Sequence, residues 1–143
     1  MEVFLLLMNV MKIKEKSIVG IQGGRGSFNE IALLHYIEKN GISGIQIRYL
    51  YTTGSVLEQL DEGNIRCGQF ALHNSVGGVV RESVEAMAGH TFNIVDQFEI
   101  PISFCILKRK EIPAAELKAV IGHPQAFKQC RQSLLKTFPS LKL

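Results

Sequence analysis

The sequence has no tryptophan, only four prolines and only three cysteines among its 143 residues. Cys67, Cys105 and Cys130 stand far apart and form no Cys-x-x-Cys pair, which argues against a disulfide framework and a zinc site. Each cysteine lies in an apolar pattern, so we expect three small buried side chains. This use of cysteine favours a reducing, cytoplasmic setting.

The chain also has little excess of one charge sign over the other. The formal net charge is +3, and the basic residues are scattered apart from the run Lys108-Arg109-Lys110. Nucleic acid is therefore not an expected partner. Apolar residues make up 46% of the chain, which is typical of a soluble globular domain with a sizeable core.

Long apolar runs are missing too. The stretch "MEVFLLLMNV" is too short to span a bilayer, and it lacks the basic segment and the cleavage site of a signal peptide. The sequence therefore predicts no membrane partner. We interpret residues 1–16 as an N-terminal extension before a domain at 17–143. Its first ten residues are expected outside the core fold, either disordered or packed as an extra strand.

From Ser17 onward, strand and helix patterns alternate. Strands are predicted at 17–23, 45–51, 67–72, 91–100, 102–108 and 118–123. Helices are predicted to begin at Ser27, Ser55, near Val80 and at Pro124. In the first helix Ser27 and Glu30 form a capping box, and a buried stripe is expected at Ile31, Leu34 and Ile37. The alternation indicates an α/β fold with a largely parallel sheet.

The glycine cluster "GIQGGRGS" raises the question of a nucleotide site. Asn29 stands where a dinucleotide motif has its third glycine, and no Gly-Lys-Ser/Thr follows, so no nucleotide is expected. What remains is a glycine turn before a capped helix, whose N–H groups can hold a carboxylate.

Three corners between a strand and a helix carry polar residues: Ser27, Asn74-Ser75 and His123–Gln125. Turn and cap residues explain each corner equally well, so the structural interpretation stays open. Ligands in open α/β sheets nevertheless bind at the carboxyl ends of strands. Helix N-termini that converge there would suit a small anion with more than one carboxylate. No histidine spacing indicates a metal site, and no nucleophile–base pair can be assigned.

Three segments in this order resemble the catalytic domain of prephenate dehydratases: "IVGIQGGRGSFNEIAL", "ALHNSVGGVVRESVEAM" and "QFEIPISFCIL…LKAVIGHPQAFKQC". The first family motif, Gly-x-x-Gly-Ser/Thr-Tyr/Phe, is matched by Gly23, Gly26, Ser27 and Phe28. The second, Glu-Asn-Ser-x-x-Gly-x-Val, is matched by Asn74, Ser75, Gly78 and Val80. The third, Ser-His-Pro-Gln-Ala, is matched from His123 to Ala126.

The resemblance implies a two-lobed α/β fold like that of type II periplasmic binding proteins, with the ligand between the lobes. It implies conversion of prephenate to phenylpyruvate in phenylalanine biosynthesis, with loss of water and carbon dioxide, without cofactor or metal, in a homodimer. The ligand would be a small dicarboxylate. Its implied contacts are Gly26, Ser27, Asn74, Ser75, Gly78, His123 and Gln125.

The chain also departs from the family pattern. His73 replaces the glutamate before Asn-Ser, and Gly122 replaces the serine before His-Pro-Gln. The Thr-Arg-Phe motif linked to proton donation does not occur, and the domain is expected to lack its C-terminal part and any ACT domain. The general acid therefore stays unassigned, and prephenate and arogenate stay open as substrates. The alternative is an inactive module that binds a small carboxylate or a partner chain.

Overall fold

The computed structural model describes residues 1–8, 17–122 and 124–142. The chain divides into two compact units, Met1–Ile102 and Ser103–Leu143. In chain order the elements of the first unit are β1 (Glu2–Met8), β2 (Ile18–Ile21), α1 (Phe28–Lys39), β3 (Gln46–Tyr49), α2 (Thr53–Asp61), β4 (Cys67–Asn74), β5 (Gly78–Val79), α3 (Arg81–Met87) and β6 (Asn93–Ile100). The second unit holds a short 3₁₀ turn, Ala114–Glu116, and the helix α4 (Pro124–Thr137).

The sheet has the order β3-β2-β4-β1-β6, and β5 pairs with the end of β4. β2 runs parallel to β3 and to β4, whereas β1 runs antiparallel to both of its neighbours, β4 and β6. The predicted α/β class is confirmed, but the predicted largely parallel sheet is in fact mixed. The cause is β1, which enters the sheet from outside the alternation of strands and helices.

β1 forms the centre of the core. The side chains of Phe4, Leu5, Leu6 and Leu7 are each at most 1% exposed. The Phe4 ring stacks on Phe98 of β6 with the centroids 5.8 Å apart. The prediction that the first ten residues lie outside the core is therefore wrong for residues 2–8, and the alternative of an extra strand is correct. A strand buried on both faces has a continuous apolar sequence. It therefore lacks the alternation of apolar and polar residues by which a half-buried strand is predicted.

The buried face of α1 differs from the predicted stripe. Ile31 and Leu34 are about half exposed, whereas Ala32 and Leu33 are fully buried. Tyr36 packs on Phe98 with the ring centroids 4.9 Å apart. The run "IALL" offers apolar residues to two overlapping faces of the helix, and spacing by itself cannot choose between them. The choice depends on which face meets the sheet.

A chain of hydrogen bonds fixes α3 against α2 and β4. Glu82 accepts from Thr53 N at 3.0 Å, where it satisfies the first turn of α2. The hydroxyls of Thr53 and Ser83 lie 2.9 Å apart, and Ser83 Oγ donates to the carbonyl of Ala71 at 2.6 Å. Both hydroxyls are buried, and these hydrogen bonds satisfy polar groups whose burial would otherwise be costly.

The second unit has less regular structure than the sequence predicts. Residues 101–109 form no strand, and the stretch after Lys118 makes only one bridge, between Ala119 and Lys142. A strand needs a partner that runs alongside it, and the described residues of this unit offer none to 102–108. The helix predicted from Pro124 is present. Throughout the described ranges, no helix combines the length and the apolar character needed to cross a membrane.

The cysteines divide between the two units. Cys67 is buried, as predicted, and burial raises the pKa of its thiol to about 12. Cys105 is exposed and Cys130 is partly buried, so the prediction of three buried thiols is wrong for Cys105. Its apolar neighbours belong to the predicted strand that does not form.

Candidate functional site

The first corner joins β2 to α1 through a glycine turn. Ser27 Oγ accepts a hydrogen bond from Glu30 N at 3.3 Å, as the capping box predicts. The Glu30 carboxylate accepts a hydrogen bond from Gly26 N at 2.5 Å. In the usual capping box this bond comes from the N–H of the N-cap residue, here Ser27, so the donor is one residue earlier in the chain. Gly23 and Gly26 have φ of +86° and +75°, a region that glycine enters at little cost. These glycines allow the turn to place Ser27 at the start of α1.

A tyrosine and an arginine that the sequence analysis did not single out also lie at this corner. Tyr49, the last residue of β3, donates its hydroxyl to Glu30 Oε1. The guanidinium carbon of Arg25 lies 5.6 Å from the centre of the Tyr49 ring. The bond from Tyr49 lowers the pKa of Glu30, assisted by the Gly26 N–H, and the same bond raises the pKa of Tyr49. Glu30 is therefore held as a carboxylate at the positive end of the α1 dipole.

We predict that Tyr49→Phe reduces stability in a pH-dependent way. The lowered pKa of Glu30 contributes stability above its ordinary value of 4.5, and this contribution is lost as pH falls through the lower folded value. The raised pKa of Tyr49 contributes stability below its ordinary value of 10.0, and this is lost at higher pH. Urea midpoints of wild type and variant should differ most between these two values. Tyr51→Phe, at an exposed neighbour, is the control. The prediction would be contradicted if the midpoints of wild type and Tyr49→Phe differed by the same amount at neutral pH and at acid pH.

Two glutamines connect the first corner to β4. Gln22 Oε1 accepts from Ala71 N at 3.1 Å and from Asn29 Nδ2 at 3.4 Å. Gln69 Nε2 donates to the carbonyl of Asn29 at 2.8 Å, while Gln69 Oε1 is buried without a partner among the described residues. The first turn of α1 is thus fixed to the neighbouring strand. Sequence analysis missed both glutamines, since the only signal for them was a polar residue inside an apolar strand pattern.

The second corner is a hairpin, and in this it differs from the prediction. β4 continues through His73 and Asn74, and β5 then pairs back with these two residues. α3 begins at Arg81 with Val80 as its N-cap, so Asn74 and Ser75 do not lie at a helix N-terminus. Gly78, with φ of +74°, takes the left-handed position that the hairpin requires.

Only the oxygen of the Asn74 side-chain amide forms hydrogen bonds within the turn. Its Oδ1 accepts from Val76 N at 3.2 Å and also from Gly77 N. The described residues include no partner for its Nδ2, which is the donor half and the half that suits a carboxylate. Part of the structural interpretation of "HNS" is therefore correct, and the donor is still available for a ligand.

Ser75 contacts the start of β1. Its hydroxyl accepts from the ammonium group of Met1 at 3.0 Å, and its N–H donates to the carbonyl of Met1 at 3.0 Å. Glu2 pairs with Asn74 in the β1–β4 ladder. The end of β4 that carries the second corner is consequently held in place by β1.

The first two corners border the same end of the sheet. β2 and β4 are parallel neighbours, so their carboxyl ends point the same way. Phe28, directly after Ser27, and Val80, directly after β5, pack against one core cluster, which includes Phe4 and Ala71. The capped N-terminus of α1 and the corner that carries Asn74 therefore lie on one edge of the sheet.

The third corner belongs to the second unit. His123 lies outside the described residues, and Gln125 is the second residue of α4, with its side chain outside the description. Gly122 leaves room for a side chain, because an added Cβ would lie 3.4 Å from the Phe127 ring, an ordinary contact. In the described ranges, no group of three or more acidic, histidine or cysteine side chains is placed to hold a metal ion.

Comparison with known proteins agrees with the motifs. The family model described as prephenate dehydratase matches residues 19–143. A bifunctional chorismate mutase/prephenate dehydratase of Buchnera aphidicola subsp. Schizaphis graminum (strain Sg) is 29% identical over 121 residues, which cover 85% of this chain and 31% of the relative. Arogenate dehydratase 2 of Petunia hybrida is 25% identical over 118 residues, which cover 82% of this chain and 29% of the relative.

A second bifunctional chorismate mutase/prephenate dehydratase, from Enterobacter agglomerans, is 22% identical over 125 residues, with 87% of this chain and 32% of the relative covered. This chain spans about a third of the length of these curated relatives. Because the family model extends from the first buried parallel strand to residue 143, this chain belongs to the prephenate dehydratase family.

Proposed function

We propose that this chain forms part of the substrate site of a dehydratase that converts prephenate to phenylpyruvate in phenylalanine biosynthesis. The observation that carries the proposal is the Ser27 cap of the 12-residue helix α1, beside the end of β4. It occurs at the first corner of a chain that belongs to the prephenate dehydratase family. A helix N-terminus at the carboxyl end of a parallel strand is a common place for an anionic ligand.

The reaction sets two requirements for such a site. Prephenate loses its ring hydroxyl as water and its ring carboxylate as carbon dioxide, and the driving force is aromatisation of the ring. The enzyme must hold two carboxylates and supply a proton to the departing hydroxyl. The Asn74 Nδ2 suits the first requirement, and the exposed Arg25 adds a positive charge near the start of α1. A substrate carboxylate at the N-terminus of α1 would have to displace the Glu30 carboxylate from the Gly26 N–H. The donor of the proton is unassigned.

The wider architecture is part of the same proposal. We propose a two-lobed fold like that of type II periplasmic binding proteins. The ligand contacts proposed from the first two family motifs are Gly26, Ser27, Asn74, Ser75 and Gly78. Those proposed from the third motif are His123 and Gln125. The family match supports this assignment, since it extends over both units.

Two positions favour a second candidate, a module that binds a small carboxylate without catalysis. His73 stands where the family has a glutamate, and it lies in β4, paired with Val3 and Val79. Gly122 replaces a serine hydroxyl that the family places at the third corner. Both changes leave the first corner unaltered. The first replaces a carboxylate by an imidazole at the second corner, and the second removes a hydroxyl from the third.

The test measures turnover and binding together. The purified chain is incubated with prephenate at mildly alkaline pH, where spontaneous acid-catalysed breakdown is slow, and phenylpyruvate is followed by absorbance. A parallel incubation with arogenate is assayed for phenylalanine. Thermal melts with and without each compound report binding independently of turnover.

Ser27→Asp is the diagnostic variant, because an aspartate keeps the cap but places a negative charge where a carboxylate would bind. Product formation in the wild type and its loss in this variant would support the dehydratase. Stabilisation by prephenate without product would support the binding module. No product and no stabilisation would contradict both candidates.

A further inference from the structure

A small cleft lies between the C-terminal half of α1 and the edge strand β6. Its volume is about 210 Å³, and its lining includes His35, Tyr36 and Lys39 of α1 and Asp96, Phe98 and Glu99 of β6. Ser27 caps the opposite end of α1, and a helix of 12 residues is about 18 Å long. The cleft is therefore a separate place from the first corner.

The pairing of β6 with β1 decides which side chains of β6 face α1. Asp96 is opposite Leu6, and Phe98 is opposite Phe4. Residues directly opposite each other in a ladder point to the same face of the sheet. Leu6 belongs to the same core cluster as Tyr36, and the Phe98 ring packs on Tyr36. Asp96 and Phe98 therefore lie on the face of the sheet that α1 covers.

Two opposite charges border the cleft from different elements. Lys39 ends α1, and Asp96 lies in β6. Throughout the described ranges neither residue forms an ion pair, with the other or with a third residue. Each charge is therefore available to a ligand that brings the opposite charge. The side-chain amide of Asn40 is already used, because its Nδ2 donates to the carbonyl of Tyr36 at 2.8 Å.

Asp96 is held in place before any ligand binds. Its Oδ1 accepts from Gln97 N at 2.8 Å, and the Tyr36 hydroxyl also bonds to this carboxylate. Burial and the adjacent Asp96 charge raise the pKa of Tyr36, so its hydroxyl stays protonated and donates. A carboxylate has about four acceptor positions, so Asp96 keeps capacity for an ammonium group.

The remaining ionisable groups of the cleft lie at its rim. His35 is one helical turn before Lys39, on the same side of α1, and it is exposed. Glu99 follows Phe98 in β6, and successive side chains of a strand point to opposite faces. The Glu99 carboxylate therefore points away from α1. The charges that face each other inside the cleft are those of Lys39 and Asp96.

A ligand with a single charge would meet a repulsive group in this cleft, Asp96 for an anion and Lys39 for a cation. We propose that the cleft binds a small zwitterion, whose ammonium group contacts Asp96 and whose carboxylate contacts Lys39. Its carbon atoms lie against the ring of Phe98. Cavities for drug-sized ligands measure about 300–1,000 Å³, so a ligand for this smaller cleft has the size of a simple amino acid. The zwitterion site is independent of the proposed function, because it lies at the other end of α1.

Titration of the full-length chain with small probes, followed by the NMR shifts of backbone amides, tests the proposal. Alanine and γ-aminobutyrate carry both charges at a short and a long spacing, whereas propionate and propylammonium carry one charge each. At least one zwitterion should shift the amide signals of Asp96 and Gln97, with an affinity at least about fivefold above that of either single-charge probe. The tighter zwitterion identifies the ligand as an α-amino acid or a longer molecule. Shifts elsewhere, no shifts, or equal affinity for the single-charge probes would overturn the proposal.

Matched variants distinguish the cleft from general charge attraction. Lys39→Gln and Asp96→Asn each remove one of the two contacts, so each should weaken binding of the zwitterion by about fivefold or more. Glu99→Gln removes the same charge as Asp96→Asn from the same strand, but on the other face, and should change the affinity by less than about twofold. All three residues are exposed, and thermal melts verify that each variant is folded. An equal loss in Glu99→Gln and Asp96→Asn, or no loss in Lys39→Gln or Asp96→Asn, would overturn the proposal.

Discussion

Leu6→Asp is expected to abolish the cooperative unfolding transition of the first unit. Leu6 lies in the middle of β1 and is fully buried against Val19, Leu33 and Tyr36. A carboxylate at this position has no partner in an apolar core, and burying an unpaired charge costs several kcal/mol. Because a domain of this size is stable by about 5–15 kcal/mol, this cost consumes much or all of its stability.

The milder variant Leu6→Ala allows the effect to be measured. It should lower the free energy of unfolding by about 2–5 kcal/mol, because it removes buried methyl groups and leaves a cavity. Ile94→Ala is the matched control, since Ile94 pairs with Leu7 across the β1–β6 ladder but is 57% exposed. Its effect should stay near 0.5 kcal/mol, as expected of an exposed position. Urea denaturation followed by circular dichroism measures all three variants. Equal effects at Leu6 and Ile94 would show that β1 is not the core strand.

Asn74→Asp is expected to weaken carboxylate binding at least tenfold while leaving the fold intact, a loss of about 1.4 kcal/mol or more in binding free energy. Aspartate keeps the side-chain oxygen that accepts from the N–H groups of Val76 and Gly77, so the turn is preserved. It replaces the Nδ2 donor with a negative charge, which repels a carboxylate. The variant therefore keeps the role of the side-chain oxygen in the turn and removes only the proposed Nδ2 donor to the ligand.

Asn74→Ala completes the comparison. It removes both halves of the amide, so it should weaken binding and also destabilise the chain by about 1 kcal/mol. Calorimetric titration with prephenate and thermal melts give the two quantities for each variant. If Asn74→Asp binds like the wild type while Asn74→Ala only lowers the melting temperature, the residue serves the turn and the assignment to the ligand is wrong. This outcome would leave the role of Ser27 untouched, because that residue is tested by its own variant.

The first corner was predictable because its signals are local. A glycine turn, a serine cap and a glutamate three residues later depend on neighbours in the chain, and the cap at Ser27 is present as predicted. The second corner was only partly predictable. Asn-Ser before glycines indicated a turn, but whether the chain returns as a hairpin or enters a helix depends on the pairing of β5 with β4.

The side chains that tie the site together could not be found in the same way. Gln22 and Gln69 reach across from one strand to α1 and to the next strand, and Tyr49 reaches Glu30 from β3. The partners of Gln69 and Tyr49 are 40 and 19 positions away in the chain. Only the order of strands in the sheet decides which of these distant groups meet.

The sequence by itself determined the α/β class, the family and the capped helix after the first parallel strand, because each rests on local periodicity or on motifs of a few residues. The tertiary structure decided the direction of the central strand, the buried face of α1 and the hairpin at Asn74. The physical reason is the same in each case. Strand pairing and the choice of a buried face are settled by contacts between residues far apart in the chain, and a one-dimensional pattern does not specify those contacts.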